Sequence, residues 1–150
     1  MKILKEKLSG IILPLITPFY KGEVDYDSLK KLMDFYLAKK LDGLVVLGTT
    51  GEAATLSKEE KKELIRFFVQ SYSSQLPIIV GISASATASA IQEAQLIEAL
   101  GADGLLVLSP PYIKPSQAGL YEHFKALAET VALPSIIYNI AYRTGVNIEF

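Results

Sequence analysis

Asp42-Gly43-Leu44-Val45-Val46-Leu47 is echoed at Asp103-Gly104-Leu105-Leu106-Val107-Leu108, and Leu76-Pro77-Ile78-Ile79 at Leu133-Pro134-Ser135-Ile136-Ile137. Both echoes lie two strand–helix units apart, so the repeated object is a pair of such units. Their apolar runs show no polar alternation, which marks strands buried on both faces, and segments of helical period separate them. A parallel sheet joined by helical crossovers follows. Two architectures satisfy that pattern. One is a five-stranded doubly wound sheet, natural for 150 residues. The other is a barrel of eight strand–helix units, which takes about 250 residues and would make this chain an incomplete part.

Taken in order, a short strand is expected within Gly10–Phe19, its end fixed by proline, which supplies no backbone donor. After a turn at Lys21-Gly22-Glu23, Asp25 is placed to cap a helix whose Leu29, Leu32, Met33, Tyr36 and Leu37 form one stripe. Further strands are expected at Gly43–Leu47, Pro77–Gly81, Gly104–Leu108 and Ser135–Tyr138. Between them, Ser57-Lys58-Glu59-Glu60 reads as a capping box opening a helix that buries Leu64, Ile65, Phe68, Val69 and Tyr72. The alanine-rich stretch Ala84–Ala90 reads as a helix N-terminus leading into Ile91, Ala94, Ile97 and Leu100. Ser116 reads as the cap of a helix whose apolar side is Leu120, Phe124, Leu127, Ala128 and Val131.

Composition narrows the chemistry. A net charge of −1, with basic residues scattered, argues against a nucleic-acid surface, and small molecules are the expected partners. No cysteine is present and His123 is the only histidine, so no metal site is expected. No apolar run reaches the roughly 18 residues of a membrane helix. Met1–Lys7 is too often charged for a secretory signal, so a cytoplasmic location is expected.

In either architecture ligands bind at the C-terminal ends of the strands. Those ends carry Gly48-Thr49-Thr50-Gly51-Glu52, then Tyr112, then Tyr138 and Arg143. In the first of these, glycines bring backbone N–H groups close to a ligand while two hydroxyls add donors for a carboxylate or phosphate. A bare tight turn accounts for the same glycines and threonines. Tyr112 as a loop aromatic, Tyr138 as a strand aromatic and Arg143 as a solvated charge are the corresponding structural readings.

Taken together, Gly48-Thr49-Thr50-Gly51-Glu52, Tyr112-Ile113-Lys114-Pro115-Ser116 and Tyr138-Asn139 with Tyr142-Arg143-Thr144-Gly145 resemble, in order and spacing, the dihydrodipicolinate synthase family of pyruvate-dependent aldolases. The resemblance runs from about Gly10 to Gly145. It implies a TIM (β/α)8 barrel, here incomplete with about five strands and four helices, so that residues 1–150 are the N-terminal part of a single barrel domain. It implies condensation of pyruvate with aspartate-4-semialdehyde through a lysine Schiff base, no cofactor, and a homotetramer of tight dimers. By resemblance, Thr50 binds the pyruvate carboxylate. Thr49 relays protons between Tyr138, the donor and acceptor at the Schiff base, and Tyr112 of a neighbouring subunit. Arg143 binds the carboxylate of the aldehyde, which suits a guanidinium fork.

Two departures stand out. Asn139-Ile140-Ala141-Tyr142-Arg143 occupies the place of the family's common Asn-Val-Pro-Ser-Arg, losing a proline and gaining an aromatic. No lysine stands where the family's Schiff-base lysine should, and Lys114, near a strand's C-terminal end, lies on a loop without that role. A truncated, inactive chain is therefore expected. The competing readings are a sister pyruvate lyase acting on neuraminate or keto-deoxy sugars, and a non-catalytic doubly wound binding module.

Overall fold

The computed structural model describes residues 9–149, so the Met1–Lys7 segment lies outside the described residues. Strand β1 (Ile12–Pro14) is followed by a small antiparallel hairpin, β2 (Phe19–Tyr20) and β3 (Glu23–Val24), then helix α1 (Tyr26–Leu37). The chain continues through β4 (Gly43–Val46), two single 3-10 turns (Thr49–Gly51 and Ala53–Thr55), α2 (Lys58–Tyr72) and β5 (Ile78–Ile82). It ends with α3 (Thr87–Ala99), β6 (Gly104–Leu108), α4 (Gln117–Thr130), β7 (Ser135–Tyr138) and the short α5 (Ala141–Thr144).

The five longer-range strands form one parallel sheet in the order β1-β4-β5-β6-β7. The chain thus crosses the sheet in one direction with no reversal, which removes the doubly wound reading and leaves a half-barrel open at β1 and β7. Alternate strand residues divide between the two faces. Leu44, Val46, Ile78, Val80, Leu105 and Val107 enter the core with Leu29 and Met33 of α1, Leu64 and Phe68 of α2, Ala90 and Ala94 of α3 and Leu127 of α4.

The repeated sequence words have a physical meaning at the starts of the strands. Asp42 accepts the Ile11 N–H on Oδ2 at 2.7 Å and returns its own N–H to the Ile11 carbonyl at 3.0 Å. Asp103 does the same to Ile78, at 2.9 Å in both directions. At the alternate seams a proline carbonyl serves: Pro77 accepts from Leu44 N–H at 3.0 Å and Pro134 from Leu105 N–H at 2.9 Å. Aspartate and proline seams alternate across the sheet, which is why the repeat is two units long.

The expected caps are present. Asp25 Oδ1 accepts from Asp27 and Ser28, Ser57 and Glu60 close a reciprocal capping box, and Ser116 Oγ accepts from Gly119 N–H. The charged forms of Asp25 and Glu60 are favoured accordingly: hydrogen bonds from Ser28 and Ser57 hold their carboxyls below the ordinary values. The alanine-rich stretch becomes helical only at Thr87, because Ser83–Ala86 carries the chain away from β5. The Thr87 hydroxyl meets His123 Nδ1 of α4 at 2.9 Å instead of capping its own helix.

Candidate active site

Gly81, Leu106, Leu108 and Tyr138 sit on the sheet face turned away from the helices, and with Thr49, Glu52 and Arg143 they line a cleft of about 310 Å³ at the C-terminal ends of the strands. Each polar group arrives by a different route. Thr49 opens the 3-10 turn that follows β4, Tyr138 is the last residue of β7, and Arg143 projects from α5. Tyr138 is half-buried, its ring on the cleft side of the sheet rather than among the helices. Among the described residues no direct hydrogen bond joins the Thr49 and Tyr138 hydroxyls.

Thr50 and Tyr112 stand apart from that group. Thr50 is exposed on the same 3-10 turn and does not line the cleft. Tyr112 is 90% exposed at φ +73°, and Lys114 beside it holds φ +50°, so the loop after β6 presents its aromatic to solvent in a conformation that L residues rarely adopt. Lys114 folds over Gly145 and contributes nothing to the cleft wall. No lysine among the described residues lines the cleft.

The aromatic that replaces a proline-containing loop has a visible partner. Arg143 Nε donates to Tyr142 Oη at 3.4 Å, and the guanidinium carbon lies 5.4 Å from the Tyr142 ring centroid. The short helix itself is fixed from within, because Arg143 and Thr144 N–H both return to the Ile140 carbonyl and the buried Thr144 hydroxyl donates to Val146 O at 3.0 Å. Sequence reasoning left this segment without secondary structure. Glu52, read only as the end of the Gly48–Glu52 motif and given no role of its own, also lines the cleft, and its place directly after Thr49-Thr50-Gly51 is the signal that could have singled it out. The arrangement provides hydroxyl groups able to pass protons and a fixed cation able to hold a carboxylate, around a space sized for a small organic acid.

A family model, the dihydrodipicolinate synthetase family, matches residues 7–150. The chain belongs to that family. A 4-hydroxy-tetrahydrodipicolinate synthase of Persephonella marina is 49% identical over 138 residues, covering 92% of this chain and 47% of the relative. The 4-hydroxy-tetrahydrodipicolinate synthase structure from Methylacidiphilum fumariolicum SolV superposes with a TM-score of 0.92 at 39% identity, covering 95% of this chain and 47% of that one. The chloride-inhibited dihydrodipicolinate synthase of Acinetobacter baumannii, solved in complex with pyruvate, has a TM-score of 0.90 at 43% identity, with coverages of 93% and 48%. As a dihydrodipicolinate synthetase family member, the chain therefore spans about half the length of the curated relatives it matches. Its five parallel strands are an incomplete TIM barrel, and the family's activity is of the aldolase-type lyase class.

Proposed function

We infer that this chain supplies the N-terminal half of a cytoplasmic aldolase joining pyruvate to aspartate-4-semialdehyde to give 4-hydroxy-tetrahydrodipicolinate. The observation that carries the reading is that Thr49, beyond β4, and Tyr138 and Arg143, at and beyond the end of β7, line a single cleft. In this reaction a lysine amine adds to the pyruvate ketone and water leaves, giving an imine. Loss of a methyl proton gives the enamine, whose carbon forms the new bond to the aldehyde carbon while the aldehyde oxygen takes up a proton; the aldehyde's own amino group then displaces the lysine amine, closing the ring and freeing the enzyme. The described residues contribute proton transfer and binding. Tyr138 gives and takes the proton at the imine and exchanges it through water with Thr49, which passes it to Tyr112 of a second subunit in a tight dimer, two such dimers forming the tetramer. Thr50, exposed beside Thr49 on the same turn at the edge of the cleft, takes the pyruvate carboxylate, and Arg143, braced by Tyr142, holds that of the aldehyde. A phenol is a weak base at neutral pH, and a hydrogen-bonded relay is what lets it act in both directions.

The amine itself belongs to a strand beyond β7, so residues 1–150 alone should form no covalent adduct. The check is borohydride reduction with pyruvate followed by intact-mass measurement. The isolated chain is expected to stay unmodified. A barrel completed in trans with the C-terminal half of the Persephonella marina relative is expected to gain one reduced pyruvyl group on that half and to consume aspartate-4-semialdehyde. An adduct on this chain, or turnover with a sugar aldehyde in preference, would overturn the assignment.

A further inference from the structure

The Thr49–Thr50 turn is gripped from two sides by groups outside the motif. On one side, Leu15 N–H donates to the Val45 carbonyl at 2.9 Å, extending the β1–β4 pairing past Pro14 and delivering Thr17 to the turn. Thr17 is only 7% exposed, and its hydroxyl donates to the Gly51 carbonyl at 2.7 Å. Gly51 is buried there, and a side-chain carbon on it would sit 3.1 Å from the Leu15 carbonyl oxygen, so the turn rests backbone to backbone on the end of β1. On the other side, a methyl group on Gly81 would run into the Leu47 carbonyl and approach Gly48 N. The atoms facing Gly81 are all main-chain atoms, so no side chain can swing aside there. Between the two walls the turn is entered through Leu47 at φ +56° and left through Glu52 at φ +54°, conformations that persist only where surroundings enforce them.

We propose that Thr17 and Gly81 are positioning residues that clamp the Gly48–Glu52 turn and so fix the Thr49 and Thr50 hydroxyls for a 2-oxo acid. The ligand rests on the aldolase reading, whereas the clamp does not. The test compares Thr17→Val, which keeps the shape and loses the donor, with Thr17→Ser, which keeps the donor, and with Gly81→Ala. Amide exchange is read at Gly51 and Glu52, whose N–H groups bond Gly48 and Thr49 carbonyls. Losing one buried hydrogen bond should accelerate them roughly tenfold in Thr17→Val, with Thr17→Ser at the parental rate and Val46 and Val80 unchanged in both. Gly81→Ala should accelerate the same two amides from the opposite wall, and decides the matter alone if the valine variant does not fold. In the completed barrel, Thr17→Val should raise KM for pyruvate roughly tenfold with a smaller effect on kcat, and Thr17→Ser should restore it. Parental exchange in both Thr17→Val and Gly81→Ala, or acceleration spread equally through β4 and β5, overturns the clamp. The predicted exchange pattern in a completed barrel that takes no pyruvate upholds the clamp and discards the aldolase reading instead.

Discussion

His123 is held on one ring nitrogen only. Nδ1 meets the Thr87 hydroxyl, while Nε2 is buried without a partner among the described residues. Protonation would make both nitrogens donors and leave a buried charged N–H facing no acceptor. Burial accordingly pushes the imidazole below its ordinary value of 6.5. The unfolded chain then binds the proton more readily than the folded one, so stability is full above about pH 6.5 and declines as pH falls through the interval below it. Urea titrations should show that decline in the parent, and His123→Gln, which cannot titrate, should flatten it. If the two slopes match, another group is responsible. Thr49, Tyr138 and Arg143 were legible as site candidates because polar groups at strand ends contrast with apolar runs. Thr17 and Gly81 were not, because a buried hydroxyl and a glycine in a strand look like ordinary structure until the partner backbone is seen.

Between elements, the aspartate seams differ in environment and hence in weight. Ile78, the partner of Asp103, is fully buried, whereas Ile11, the partner of Asp42, is 66% exposed and can exchange its bond for water. Asp103→Ala should therefore cost about 1–3 kcal/mol by leaving a buried N–H without its acceptor, and Asp42→Ala clearly less. Denaturant midpoints at constant m-value measure both, and equal losses would show that burial of the partner does not set the cost. The strands and their helices were readable from apolar runs and from Asp25, Ser57 and Ser116 as caps, since each signal is local. The β2–β3 hairpin was read as a mere turn, and α5 not at all. Two residues per strand and four in a helix are too few to show a period, and α5 is specified by its bonds to Ile140.

At the scale of the whole molecule, the sheet formed by the described residues has two unpaired edges. Among those residues β1 pairs only with β4, and β7 only with β6. Beside β7 lies an apolar groove of about 400 Å³ formed by Leu120, Phe124 and Ala128 of α4 with Ile137 and Ile148, and Ile137 is 45% exposed. Unpaired edges with apolar flanks template further pairing. The isolated 150 residues should self-associate with rising concentration in light scattering, and Ile137→Lys should shift the onset upward. A monodisperse monomer at high concentration would show that these edges are already protected. The alternating seams have a different consequence, for how such a chain can vary. Strand register is pinned at the N-terminal ends by Asp42, Pro77, Asp103 and Pro134, while the Gly48–Glu52 turn, the Tyr112 loop and α5 hang from the C-terminal ends. Because a pinned register needs nothing from the other end, the Tyr112 loop and α5, which lack the clamp that holds the Gly48–Glu52 turn, are free to drift in sequence and length, trading one substrate for another, without the sheet ever slipping.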